Sequence, residues 1–134
     1  MATKVFINLP VKDLNRSKAF FEGLGYSFNP QFTDENAACM VISDTIYVML
    51  LIEPYFQTFT KKGISDATKQ TEVLIALDAS SKEEVVNTIA KAKELGATIY
   101  NEPQDHGWMY QHSFADLDGH QWELAYMDET QMPG

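Results

Sequence analysis

Asp44-Thr45-Ile46-Tyr47-Val48-Met49-Leu50 lines up with Asp118-Gly119-His120-Gln121-Trp122-Glu123-Leu124, a turn followed by an apolar strand in both cases. Working outward, Leu24-Gly25 matches Leu95-Gly96, each closing an apolar stretch of helical period. Further upstream, Phe6-Ile7-Asn8-Leu9-Pro10-Val11 matches Glu72-Val73-Leu74-Ile75-Ala76-Leu77. The order strand, helix, turn, strands is therefore written twice, and internal repetition of this kind dictates architecture before any motif does. The offset is 66 between the opening strands and 71 between the glycines, so the second helical region reads five residues longer. Residues 1–53 form module one, 72–128 module two, and 54–71 the connector; a site is expected where equivalent strands of the two copies face each other.

In the first copy Val5, Ile7, Leu9 and Val11 alternate with Phe6, Asn8 and Pro10, the period of a strand with one face on a core. Asp13 is placed to cap a helix that buries Leu14, Phe20, Phe21 and Leu24. Gly25 then supplies the left-handed residue that ends it. Residues 26–33, 37–43 and 46–52 read as strands, the last two joined by a hairpin at Asp44-Thr45.

In the second copy residues 72–79 read as a strand. Ser81-Lys82-Glu83-Glu84 has capping-box spacing, and Val85, Val86, Ile89, Ala92 and Leu95 form the buried stripe of a helix. A strand begins at 98–100, and strands at 108–115 and 120–127 flank the turn Asp116-Leu117-Asp118-Gly119. In the connector, Tyr55, Phe56 and Phe59 either lid a pocket or pack outside the sheet. Met132-Pro133-Gly134 reads as a frayed tail.

A chain of 134 residues with 45% hydrophobic and 22% charged side chains is long enough for one domain with a real core. Its net charge of −9 disfavours nucleic acid and anionic membranes as partners and favours cationic or neutral small molecules. Cys39 is the single cysteine, so neither an internal disulfide nor a sulfur-based metal cluster is available. It lies in an apolar run, the setting of a buried hydrophobe rather than a nucleophile. No signal-peptide pattern or membrane-length apolar run is present, and a cytoplasmic location is the expectation.

The run from Phe6 to Ser17, with Phe20-Phe21 and Leu24-Gly25, together with Asp116-Leu117-Asp118-Gly119-His120-Gln121-Trp122-Glu123-Leu124, resembles the two module signatures of the vicinal oxygen chelate superfamily. That superfamily holds glyoxalase I, the bleomycin- and fosfomycin-resistance proteins and extradiol dioxygenases, and the chain is most similar to its branch labelled predicted lactoylglutathione lyase. The resemblance implies an α+β fold of two βαβββ modules whose strands form a curved mixed sheet around an open cup, and a homodimer. It also implies four ligand positions on the first and last strands of the modules. Here these fall on Phe6, Met49, Glu72 and Glu123. Phe6 has no donor and Met49 only a soft thioether, so neither a metal nor any other cofactor is expected.

Glu72 and Glu123 are the candidate catalytic residues. Two carboxylates in one apolar cleft would share a proton and act as general acid and base, as a lactoylglutathione-lyase-like lyase or isomerase needs. Alternatively they are relics of the metal site, or they attract a cationic ligand. Phe6, Asn8, Met49 and His112 are the candidate substrate-binding residues for an apolar or cationic small molecule. The side of His112 depends on the turn: a two-residue loop at Asp118-Gly119 puts it on the face of Glu123, whereas a four-residue turn with a bulge at the glycine reverses it. Trp108, Met109, Tyr110 and Phe114 offer stacking surface or core packing.

Overall fold

The computed structural model describes residues 1–131, so the expected frayed tail lies outside the described residues. The chain divides into two compact units, Met1–Ser65 and Asp66–Gly134. Each is a four-stranded mixed sheet with a helix, and the repeat read from the sequence is present in both.

The first unit runs β1 (Val5–Val11), α1 (Leu14–Gly23), β2 (Ser27–Asn29), β3 (Ala37–Val41) and β4 (Ile46–Ile52), in sheet order β1-β4-β3-β2. The first and last strands pair parallel and the others antiparallel. Asp13 caps α1 by accepting the Arg16 N–H, and Gly25 follows the helix at a φ of 104°. The helix buries Leu14, Ser17, Phe20 and Phe21. Alternation divides the sheet into two faces. Leu9, Val11, Ala38, Met40, Val48 and Leu50 make the core face, and all are buried. Phe28 shares that face with Met40, and the Lys18 ammonium of α1 lies 5.9 Å from its ring, which puts α1 on this side. Each such aliphatic side chain, fully buried, contributes roughly 1.5–3 kcal/mol.

Two readings of this half shift. The strand expected over 26–33 ends at Asn29, because Pro30 has no N–H for the ladder and opens a 3₁₀ turn over Pro30–Phe32. The connector is not featureless either. A short helix, α2 (Glu53–Phe56), follows β4 directly and packs on β1 and β4, and a 3₁₀ turn covers Gln57–Phe59.

The second unit runs β5 (Leu74–Asp78), α3 (Lys82–Glu94), β6 (Gln104–Asp105), β7 (Met109–Ala115) and β8 (Gln121–Met127), in sheet order β5-β8-β7-β6. Ser81 caps α3 by accepting the Glu84 N–H, but the Glu84 carboxylate reaches one residue further back than a capping box requires. It accepts from both the N–H and the hydroxyl of Ser80. Val85, Ile89 and Ala92 are buried as expected, whereas Val86 is exposed. Lys82 of α3 pairs with Asp105 and lies over the Tyr110 ring at 4.9 Å, so α3 covers the face bearing Tyr110, Phe114, Trp122 and Leu124. Residues 98–100 hold only one bridge, Thr98 to Ala115.

The ladders also correct the internal alignment. Asn8 stands level with Met49, and Ala76 with Glu123. The offset between opening strands is therefore 68, not 66, and the counterpart of Phe6 is Leu74 rather than Glu72.

Candidate functional site

Each unit has one sheet face turned away from its long helix; Phe6, Asn8 and Met49 lie on that of the first unit and Glu123 on that of the second, whereas Glu72 and His112 lie on neither. In the first unit that face carries Phe6 and Asn8 from β1, Tyr47 and Met49 from β4, and Cys39 from β3. Phe6 is 53% exposed, a large fraction for phenylalanine, and stacks on Tyr47 with centroids 4.9 Å apart and planes 12° from parallel. The Tyr47 hydroxyl donates to the Asp44 carbonyl, which fixes the ring, and the Lys4 ammonium lies 5.8 Å from its centroid. Asn8 donates its amide to the Phe6 carbonyl. Phe6, Asn8 and Met49 thus share one face and form an open aromatic platform with an amide beside it. Tyr47 belongs to it although the sequence reading passed it over; its one signal was its place two residues before Met49.

In the second unit the corresponding face carries Ala76 from β5, Gln121 and Glu123 from β8, and Gln111 and Ser113 from β7. Gln111 donates its side-chain amide to Glu123 Oε2 at 3.2 Å. Ser113 stands directly across the ladder from Glu123, is 1% exposed, and its hydroxyl has no hydrogen-bond partner among the described residues. Thr71 donates to the Gln121 side-chain carbonyl.

Glu72 is not on a strand. It lies in an exposed bend two residues before β5, four residues from Ala76, the residue level with Glu123. At about 3.3 Å per extended residue, that leaves the two carboxylates on different levels of the sheet rather than side by side. Glu72 therefore does not stand level with Glu123 on a paired strand.

His112 is on the other face. It pairs with Leu124, and its Nε2 sits 2.8 Å from the Asn101 carbonyl, to which it donates. The turn decides this. Gly119 donates its N–H to the Asp116 carbonyl and has a φ of 92°, while Asp116 N–H bonds the His120 carbonyl. That is the four-residue turn with a glycine bulge, and its extra residue inverts the face of β7 relative to β8. Asp116 holds the turn from inside. Its carboxylate accepts the N–H groups of Asp118 and His120 and the indole N–H of Trp122. Burial pushes its pKa up, against the opposing pull of His120 and these hydrogen bonds.

A family model described as bleomycin resistance protein-like N-terminal matches residues 3–43. A hypothetical protein from Staphylococcus aureus is 31% identical over 94% of this chain and 95% of its own, with a TM-score of 0.79. The chain has the fold of the glyoxalase, bleomycin-resistance and dioxygenase proteins. Its fold is also that of a glyoxalase-related enzyme from Fulvimarina pelagi, at 20% identity, 94% and 88% coverage and a TM-score of 0.76. A fosfomycin resistance protein from Listeria monocytogenes gives 24% identity, 94% and 91% coverage and a TM-score of 0.68. No curated protein sequence matches significantly.

With the corrected register, the superfamily's four ligand positions fall on Phe6, Met49, Leu74 and Glu123. One carboxylate remains, and the other three side chains are two hydrocarbons and a thioether. Among the described residues no group of three or more His, Cys, Asp and Glu is placed to hold an ion. This donor set does not fit the divalent metal of a vicinal oxygen chelate protein, which takes nitrogen and oxygen ligands. Cys39 does not repair it: the thiol is buried and its pKa is raised by desolvation, away from the thiolate a metal would need.

Proposed function

We propose that this protein binds an apolar or cationic small molecule without a metal, on a sheet face turned away from a long helix. On the first unit's face Phe6 and Met49, with the Asn8 amide beside them, supply flat apolar contact, and on the second unit's face Glu123 supplies the charge. The observation that carries this reading is the donor set: three of the four superfamily ligand positions are apolar, and what they lose in coordination they gain in contact area. The exposed Phe6–Tyr47 stack supports it, since a large aromatic surface left to water is worth about 25 cal/mol per Å² to any ligand that covers it. The net charge of −9 favours cations over anions on approach.

A thermal-shift series tests it, run in the presence of a chelator with bleomycin, S-substituted glutathiones, aromatic amines and fosfomycin. A ligand at one hundred times its Kd stabilises the fold by about 2.7 kcal/mol, a rise of roughly 8 °C for a chain of this size. Cationic or aromatic compounds are expected to give that rise with the chelator present and to lose it in Phe6→Ala. Stabilisation by fosfomycin, which is anionic, and only after metal is restored, would contradict the reading.

A further inference from the structure

We propose that Glu123, Ser113 and Gln111 form a subsite for an N–H cation, the primary or secondary ammonium or amidinium group of the ligand. This rests on the reading that the face of Glu123 binds a small molecule, and it specifies which chemical head that face takes. The Glu123 carboxylate accepts from the neutral Gln111 amide, on one oxygen. Neither Lys82, paired with Asp105, nor Lys91, paired with Glu94, reaches it. Ser113, cross-strand from Glu123, brings its hydroxyl within reach of any group bound there, since Cβ atoms of such pairs lie about 4.5–5.5 Å apart.

That hydroxyl is buried and unpartnered, which a folded protein tolerates at few positions. An ammonium answers both defects. It neutralises the carboxylate by a charge-assisted hydrogen bond and gives a second N–H to the serine oxygen, while the Gln111 amide holds Glu123 in place. A neutral alcohol has one donor for two acceptors and leaves the charge unpaired. A quaternary ammonium has the charge but no N–H for either acceptor. An anion is repelled.

Calorimetric titration of benzylamine, benzyltrimethylammonium and benzyl alcohol into the full chain, with melting temperatures of the variants, tests this. Benzylamine is expected to bind at least about tenfold tighter than either analogue, the effect of one good charge-assisted contact. Glu123→Gln is expected to abolish that preference. Ser113→Ala is expected to weaken benzylamine binding by about fivefold or more and to raise the melting temperature, because it deletes an unsatisfied buried hydroxyl. Ser113→Ala that is more stable yet binds benzylamine as wild type does would overturn the serine's role, and equal binding of benzylamine and its trimethyl analogue would overturn the subsite. If the three compounds bind alike, the subsite fails while the broader binding function stands. If none binds, both fail.

Discussion

Replacing Gly119 by alanine tests the turn that sets the faces of β7 and β8. Two separate penalties apply. The backbone φ of 92° is strained for any residue with a Cβ, at about 1–2 kcal/mol. The added methyl would also stand 2.7 Å from the Ala67 carbonyl oxygen and 2.8 Å from Ala67 C and Thr68 N. All three are backbone atoms of a turn pinned by Asp66, which accepts the N–H groups of Lys69 and Gln70 on its carbonyl and that of Thr68 on its carboxylate. No flexible side chain can swing aside, so the hairpin tip or the turn must move, at a further 1–3 kcal/mol or about that. The sum, roughly 3 kcal/mol, is a large part of a typical domain stability of about 5–15 kcal/mol. Gly107→Ala is the control. Its φ is 82°, but nothing lies within 4 Å of the position a Cβ would take, so it meets the conformational penalty alone. Urea unfolding of both variants should show Gly119→Ala less stable than Gly107→Ala by about 1–3 kcal/mol. Equal destabilisation would refute the claim that the 66–70 turn packs against the hairpin.

Three further outcomes follow from the same structure. Cys39, buried with its thiol pKa raised by desolvation, should stay unmodified by a thiol reagent at pH 8 in the folded protein and react at once in denaturant; fast labelling of the native state would place it at the surface. The pKa of Glu84 is lowered by its two bonds from Ser80, so its stabilising contribution is complete above its ordinary value of 4.5 and disappears as pH falls through the lowered folded value. The gap in melting temperature between wild type and Glu84→Gln should accordingly shrink from pH 6 to pH 3, and a constant gap would remove the capping role. Trp122→Phe keeps the ring stacked on Phe114 but takes one donor from the buried Asp116 carboxylate, at an expected loss of about 1–3 kcal/mol by denaturant titration. A loss below roughly 0.5 kcal/mol would mean that the indole hydrogen bond is not holding the turn.

Much of this architecture is legible in the sequence because its punctuation is chemical. Asp13 and Ser81 cap helices since their side chains accept backbone N–H groups, and Gly25, Gly96 and Gly119 sit at positive φ where other residues are strained. The slip of Glu72 into the place of Leu74 has an equally physical origin. A strand repeats every two residues, so an alignment shifted by two keeps every side chain on its own face and alternation cannot detect it; only the ladder to β8 can. His112 shows the opposite case, a shift of one, which inverts everything and hinges on a single bulge. Ser113 carried no signal at all. A serine in a strand is ordinary, and it becomes informative only when the fold buries its hydroxyl beside Glu123 without a partner.

The central claim is that this chain has kept the superfamily's fold while giving up its ion. Metal content answers it most directly: purified protein is exposed to zinc, nickel and manganese, exchanged into metal-free buffer and analysed by mass spectrometry for bound metal per chain. The donor set of Phe6, Met49, Leu74 and Glu123 predicts no stoichiometric metal, and the same background in Glu123→Ala. One retained equivalent per chain, lost in Glu123→Ala, would contradict it.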